Sequence, residues 1–273
     1  MKVLVYRNKS KDPDNCYSNI VVSELNNFNI DYELIDDDNL DSMISADVLI
    51  VIGGDGTILD VANFANKNDI PILGINAGTV GFLTEFENFE ICEAISLLNQ
   101  GKLVKDFRAT IIAEFKGKKY LALNEVVVQR IFAQNQDGHI TTLEVSINDN
   151  IVDNIAGDGV IVCSATGSTA YSLSASGAIL TPDINAFMIT PICAHSLHHR
   201  PIIFSADSTC TIQMLRGNSS GLVIDGKFFE TVNVDDVVVV KKSNKQTVFL
   251  RRPNSNFFNT LIKKLNRKVV KNV

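Results

Sequence analysis

Five consecutive residues, Gly53-Gly54-Asp55-Gly56-Thr57, join what a phosphate needs to something it repels. Glycines let a ligand approach the main chain closely. The residues after them, 57–65, place Ile58, Val61, Ala62 and Ala65 at helical spacing. A helix N-terminus there offers unpaired N–H groups and a partial positive charge, which suit a phosphate. Asp55 is the odd member. A carboxylate beside phosphate makes sense where it holds a metal, accepts a proton or bonds a ribose hydroxyl. The alternative is a plain Asp-Gly turn joining strand to helix.

Three further groupings carry chemistry. Asn124-Glu125 closes an apparent strand; Asn matches the donor–acceptor edge of an adenine, and Glu accepts from ribose hydroxyls. Next, Gly157-Asp158-Gly159 leads through an apolar run and Cys163 into Ser164-Ala165-Thr166-Gly167-Ser168-Thr169-Ala170-Tyr171-Ser172-Leu173-Ser174. That reads as a strand, a loop rich in hydroxyls and N–H groups, and a short helix capped by Thr or Ser. Tyr171 is placed to stack on a ring. Last, the stretch 191–201 gathers His195, His198 and His199 beside Cys193. No Cys-x-x-Cys or His-Glu-x-x-His accompanies them, so a structured loop is expected rather than a zinc site.

Strands and helices must position these groups. Residues 1–6, 32–35, 46–52 and 70–76 read as strands, the third a nearly unbroken apolar run buried on both faces. Residues 15–25 read as a helix with Ile20, Val21 and Leu25 inward. Asp36-Asp37-Asp38 reads as a solvated acidic turn. The strand at 70–76 ends in a second glycine-rich loop, Gly78 to Gly81-Phe82-Leu83. This alternation predicts an α/β N-terminal domain, 1–102, with a parallel, doubly wound sheet. In such sheets ligands sit beyond the carboxyl ends of strands, where both glycine loops fall.

From Lys102 onward strands dominate: 109–115, 119–129, 139–147, 160–164, 186–191, 202–205, 209–214, 221–224, 237–242 and 247–251. This predicts a mainly β C-terminal domain over 103–245. Residues 256–271 return to helical spacing, with Phe257, Leu261 and Leu265 on one stripe and Lys263, Lys264, Arg267, Lys268 and Lys271 at a basic end. The segment 246–273 is expected to pack back on the first domain.

Composition narrows the class. The 273 residues are 45% hydrophobic and 21% charged, with a net charge of −6. An acidic chain of this kind offers no basic face for nucleic acid. No apolar run approaches the length of a membrane span. The five scattered cysteines are expected to be reduced, as in the cytoplasm. No Gly-x-x-x-x-Gly-Lys-Ser/Thr phosphate loop is present, nor a Gly-x-Ser-x-Gly elbow.

Taken together and in order, the glycine turn, Gly74-Ile75-Asn76 with Gly78 and Gly81-Phe82-Leu83, Asn124-Glu125, Asp158-Gly159, the run Thr166 to Ser174, and His195-Ser196-Leu197 with Arg200-Pro201 resemble the NAD kinase family. The resemblance implies phosphoryl transfer from ATP, or in some members polyphosphate, to the 2′-hydroxyl of the adenosine ribose of NAD, giving NADP and ADP. It implies Asp55 as proton acceptor and Gly53, Gly54, Gly56 and Thr57 as the phosphate loop. Dinucleotide contacts are implied for Asp55, Gly56, Asn124, Glu125, Ala156, Asp158, Thr169, Ala170, Tyr171, Ser172, Leu173 and Ser174. Magnesium is expected to arrive on the nucleotide phosphates, with no protein metal site, and the chain to form a homodimer or homotetramer. Ala156, Ala165, Ala178 and Lys227 depart from the family pattern, which bears on donor preference and fine contacts. Lipid kinases of the diacylglycerol or sphingosine type share the first motif alone. A dinucleotide sensor without catalysis is a third reading, which Asp55 disfavours.

Overall fold

A computed structural model describes residues 1–40, 43–79, 81–131, 140–196 and 198–270, with backbone only at Asn39 and 265–270. Val80, His139, Leu197 and Lys271, and the side chains of Leu265, Arg267 and Lys268, lie outside the described residues. The chain divides into two compact units: Met1–Phe107 with Thr247–Val273, and Arg108–Gln246.

The first unit runs β1 (Lys2–Arg7), α1 (Cys16–Asn27), β2 (Asp31–Ile35), β3 (Val48–Gly53), α2 (Asp55–Lys67), β4 (Ile72–Asn76), β5 (Phe86–Glu87) and α3 (Ile91–Asn99). Strands β2, β1, β3 and β4 pair side by side, all parallel. Every residue of β3 is buried, as expected of a strand covered on both faces. On one face Val3, Val5, Ile50, Ile52, Leu73 and Ile75 pack with Val21 and Leu25 of α1 and with Ile91, Ala94, Ile95 and Leu98 of α3. The alternate residues, Leu4, Leu49, Val51 and Ile72, are equally buried, as are Ile58, Val61, Ala62 and Ala65 of α2. This is the expected α/β domain with its doubly wound sheet. Ile20 departs from expectation: it is 41% exposed, while Val21 and Leu25 are buried in the core.

The second unit contains most of β6 (Val104–Phe115), then β7 (Lys118–Ala122), β8 (Glu125–Arg130), β9 (Thr141–Ile147), β10 (Asn150–Gly157), β11 (Gly159–Ser164), the short helix α4 (Tyr171–Ser174), β12 (Ala186–Ile192), β13 (Ile202–Ser205), β14 (Cys210–Arg216), β15 (Ser220–Ile224), β16 (Lys227–Val232) and the start of β17 (Val237–Arg251). One antiparallel sheet has the order β13-β12-β11-β8-β15-β16. A second antiparallel group joins β10, β9, β14 and the first half of β17. Val126, Val128, Val160, Val162 and Phe187 from the one meet Leu143, Val145, Ile212, Val238 and Val240 from the other in a single apolar core. The unit is mainly β.

Three strand expectations change. Residues 119–129 form two strands rather than one, broken at Leu123 and Asn124. Residues 237–251 form one continuous strand rather than two. Strands β5, β10 and β16 appear where none was expected. The end of β17 returns the chain to the first unit, where Phe249 pairs with Ile72 of β4, and α5 (Phe257–Val270) follows.

Candidate functional site

The glycine turn sits where β3 ends and α2 begins. Gly54 is the extended residue before the helix, with φ −100° and ψ −170°, and Asp55 is its first residue. At Gly53 a side chain would overlap that of Thr57. Thr57 Oγ1 in turn accepts the Asn8 side-chain amide at 3.3 Å. Gly54 and Gly56 have open space where a side chain would stand, so the main chain is approachable there.

Asp55 is not a free carboxylate. Its Oδ2 accepts the Phe82 N–H at 2.9 Å and its Oδ1 the Leu83 N–H at 2.9 Å. The side chain therefore fastens the second glycine loop to the first. A Cβ at Gly81 would strike the Asp55 carboxylate, which explains the glycine there. Lys264 of α5 adds an ammonium 3.2 Å from Oδ2. The second loop is also tied down behind: Asn76 Oδ1 accepts the Gly78 N–H at 3.1 Å, and Asn76 donates to Glu87 Oε2 at 2.8 Å.

In the second unit, Asn124 and Glu125 occupy the break between β7 and β8. The cause of the break is Asp225, whose carboxylate accepts the N–H groups of Leu123, Asn124 and Glu125 at 2.7, 2.8 and 3.0 Å. Asp225 has φ 47° and precedes Gly226 with φ 80°, a tight turn that aims its carboxylate back at β8. Gly167 fits against the Asn124 carbonyl, where a Cβ would overlap it. Glu125 is buried, and its Oε2 has no hydrogen-bond partner. Burial, then the neighbouring Asp225 charge, pushes its carboxyl up to about 8, partly offset by the Tyr171 N–H it accepts. Asp225 is itself raised by burial, against the pull of its three N–H donors.

Asp158 lies between β10 and β11 and pairs with Arg130 of β8, Nε to Oδ1 at 2.9 Å. The Arg130 N–H also donates to the Asp158 carbonyl at 2.8 Å. Sequence reasoning missed Arg130. Arg130 brings a cation to the Asp158 carboxylate from the strand alongside, where Ala156, two positions before Asp158, offers none. Only the register of β8 against β11, Gln129 opposite Gly159, could have found it.

After β11 the chain turns through a short 3-10 helix, Thr166–Thr169, into α4. The expected Thr or Ser cap is replaced by Ala170, with no side-chain cap bond. The hydroxyls serve elsewhere: Thr169 donates to the Thr166 carbonyl at 3.3 Å, and Ser172 bonds Thr190 at 2.8 Å. Tyr171 is 39% exposed and donates to Gln129 Oε1 at 3.4 Å. Leu173 is half-buried and Ser174 exposed. Of the departing residues, Ala165 is buried, Ala178 exposed, and Lys227 opens β16. The structure thus brings Asn124, Glu125 and Tyr171 together through Glu125, and Asp158 to Arg130. It gathers Gly53, Gly54, Asp55, Gly56 and Thr57 separately, in the first unit.

The histidine-rich loop goes another way. His199 Nδ1 bonds Asp153 Oδ2 at 2.8 Å, and the His195 N–H donates to the Ala156 carbonyl at 2.9 Å. Among the described residues no group of three or more His, Cys, Asp or Glu is arranged to hold a metal ion. No helix among them is long and apolar enough to cross a membrane.

Comparison with known proteins matches two family profiles. Residues 32–103 match the ATP-NAD kinase N-terminal domain and residues 123–252 the ATP-NAD kinase C-terminal domain. An NAD kinase of Caldicellulosiruptor saccharolyticus is 34% identical over 97% of this chain and 99% of its own. One of Methanothermobacter thermautotrophicus is 37% identical over 76% of this chain and 72% of its own. Among solved structures, an Archaeoglobus fulgidus NAD kinase in complex with ATP has a TM-score of 0.79 at 23% identity, covering 97% of this chain and 98% of that one. A yeast NADH kinase complexed with NADH has a TM-score of 0.82 at 21% identity, covering 97% of this chain and 87% of that one. At those identities the two structures speak to the fold.

Proposed function

This chain belongs to the ATP-NAD kinase family, and from that premise we propose that it transfers the terminal phosphoryl group of ATP to the 2′-hydroxyl of the adenosine ribose of NAD. The 2′-oxygen forms a bond to phosphorus as the bond to the ADP oxygen breaks. The hydroxyl proton goes to Asp55, and NADP and ADP leave. Such transfers need mainly positioning and charge stabilisation.

The residues divide the work. The open main chain at Gly54 and Gly56, at the start of α2, suits the donor phosphates. Asp55 Oδ1 spends one lone-pair direction on Leu83 and keeps another for the hydroxyl proton. Asn124, Glu125, Asp158 with Arg130, and the segment Thr169–Ser174 serve the dinucleotide. Ala156 contributes through its main chain. One observation carries the acceptor side: Glu125 Oε2 is buried without a partner, and a buried carboxyl oxygen normally has one. A ribose hydroxyl supplies it.

Magnesium fits this arrangement as a companion of the nucleotide. It keeps several waters and needs only phosphate oxygens and one or two carboxylates. The glycine turn offers one carboxylate, already bound to two N–H groups, and no cage. The ion would neutralise charge on the donor phosphates. Self-association as a homodimer or homotetramer and a cytoplasmic location complete the proposal. The former is tested by sedimentation at assay concentration, where a fully active monomer would remove it.

The deciding assay incubates the purified protein with ATP, magnesium and NAD, and measures NADP. NADP formation is expected. Phosphorylation of diacylglycerol with NAD untouched would replace the proposal with a lipid kinase.

A further inference from the structure

The Asp55–Lys264 pair has a construction that a surface ion pair does not need. Lys264 stands on α5, 209 positions along the chain, yet belongs to the same compact unit as Asp55. Both side chains are about 30% exposed, at 31% and 27%. The Lys264 ammonium lies 3.2 Å from Asp55 Oδ2 and 4.2 Å from the centre of the Phe82 ring. Phe82 is the residue whose N–H bonds the same oxygen. So one ammonium touches both the carboxylate and the loop residue that orients it.

The segment leading to Lys264 is fastened at several points to residues 82–85. Arg251 donates to the carbonyls of Phe82 and Thr84 at 3.4 and 3.2 Å. The Arg252 N–H and the Ser255 hydroxyl bond Glu85 at 3.2 and 2.9 Å. Phe257 packs on Phe82, with ring centres 6.0 Å apart. These contacts carry α5 to Asp55 with its register set.

We propose that Lys264 is a positioning residue for Asp55. Its ammonium holds Oδ2, fixes the rotation of the carboxylate, and leaves the second lone pair of Oδ1 for the incoming hydroxyl. A carboxylate held by one N–H on each oxygen still pivots about that pair of bonds, and the third contact stops the pivot. Small misalignments of a reacting group cost large factors in rate. This role rests on the kinase reading above, in which Asp55 receives the proton.

The test compares Lys264→Met, Lys264→Arg, Asp55→Asn and the Lys264→Met/Asp55→Asn pair, in kcat, in KM for NAD and ATP, and in thermal midpoint. Lys264→Met is expected to lower kcat about tenfold or more, with both KM values and the midpoint little changed. Lys264→Arg should restore most of kcat. In the Asp55→Asn background Lys264→Met should add almost nothing, since coupled residues are not additive. Wild-type kcat in Lys264→Met would overturn the proposal. So would a loss that persists undiminished in the Asp55→Asn background, or an effect confined to KM for ATP, which would make Lys264 a donor contact. Absence of NADP from the wild-type protein would instead remove the kinase reading itself, and this role with it.

Discussion

Asp225 and Glu125 hold each other by two hydrogen bonds: the Glu125 N–H donates to the Asp225 carboxylate at 3.0 Å, and the Asp225 N–H donates to the Glu125 carbonyl at 3.1 Å. Two carboxyl groups are thereby fixed close together in a buried place. Burial drives both carboxyls toward their neutral forms; Asp225 has three N–H donors to offset it and Glu125 one.

This has a consequence for stability against pH. The Glu125 carboxyl titrates near 8 in the folded protein and near its ordinary value, about 4.3, when unfolded. Between those values the folded state holds a proton that the unfolded state has lost. Its contribution to stability is full below the lower value and lost as pH rises through the upper one. Glu125→Gln should flatten the fall in ligand-free stability between about pH 5 and 8. Denaturant titrations at several pH values check this, and an unchanged slope in the variant would assign the fall to other groups.

Asp55→Asn should lower kcat by about 10²–10⁴, the usual cost of removing a positioned base. It should also loosen the loop. Asn has one acceptor oxygen, so one of the Phe82 and Leu83 N–H groups loses its partner, at a cost of about 1–3 kcal/mol. Turnover and thermal midpoint measured together separate the two effects. Normal turnover would remove Asp55 from the chemistry.

Gly81→Ala tests the fastening between the two glycine loops without removing a charged group. The new Cβ would strike the Asp55 carboxylate, so either the carboxylate or the loop must move. A shift near 1 Å at a reacting group costs about 10²-fold. kcat is expected to fall by that order while NAD affinity, measured by calorimetry, holds. An active Gly81→Ala enzyme would show that the carboxylate has freedom the contacts do not suggest.

Arg130→Ala removes the cation beside Asp158 and should raise KM for NAD about tenfold, equivalent to about 1.4 kcal/mol, with kcat less affected. Arg130→Lys should recover part of the loss, since it keeps the charge without the fork. Steady-state kinetics with NAD varied decide this. Equal KM in both variants and wild type would make the pair structural.

Local pattern made the first unit legible. The apolar run of β3 and the helical spacing of Ile58, Val61, Ala62 and Ala65 require burial on both faces of the sheet, and the glycines between them mark the turn. What local pattern cannot carry is a partner far along the chain. Residues 119–129 read as one strand because the carboxylate that breaks it belongs to Asp225, 101 positions beyond Asn124. Strand β16 begins Lys227-Phe228-Phe229-Glu230, with Phe228 58% and Phe229 44% exposed, so it lacks the alternation that marks a half-buried strand. The motif residues were legible as types. Their wiring to Arg130, Asp225 and Lys264 was not, because each bond depends on strand register or on the return of the chain.

That return has a bearing on how the protein is made. The first unit is interrupted: the chain departs at Phe107 and comes back at Thr247. During synthesis, at about 5–20 residues per second, β4 waits on the order of ten seconds before Phe249 emerges to pair with Ile72. Until then the part of the β4 edge that β5 does not reach is uncovered, a template for the wrong strand. Asp55 likewise stands without Lys264 until a further 209 positions have been made. The nascent first half is therefore the stage at which aggregation threatens and a chaperone has something to hold, and it ends only when the far end of β17 has emerged to pair with β4.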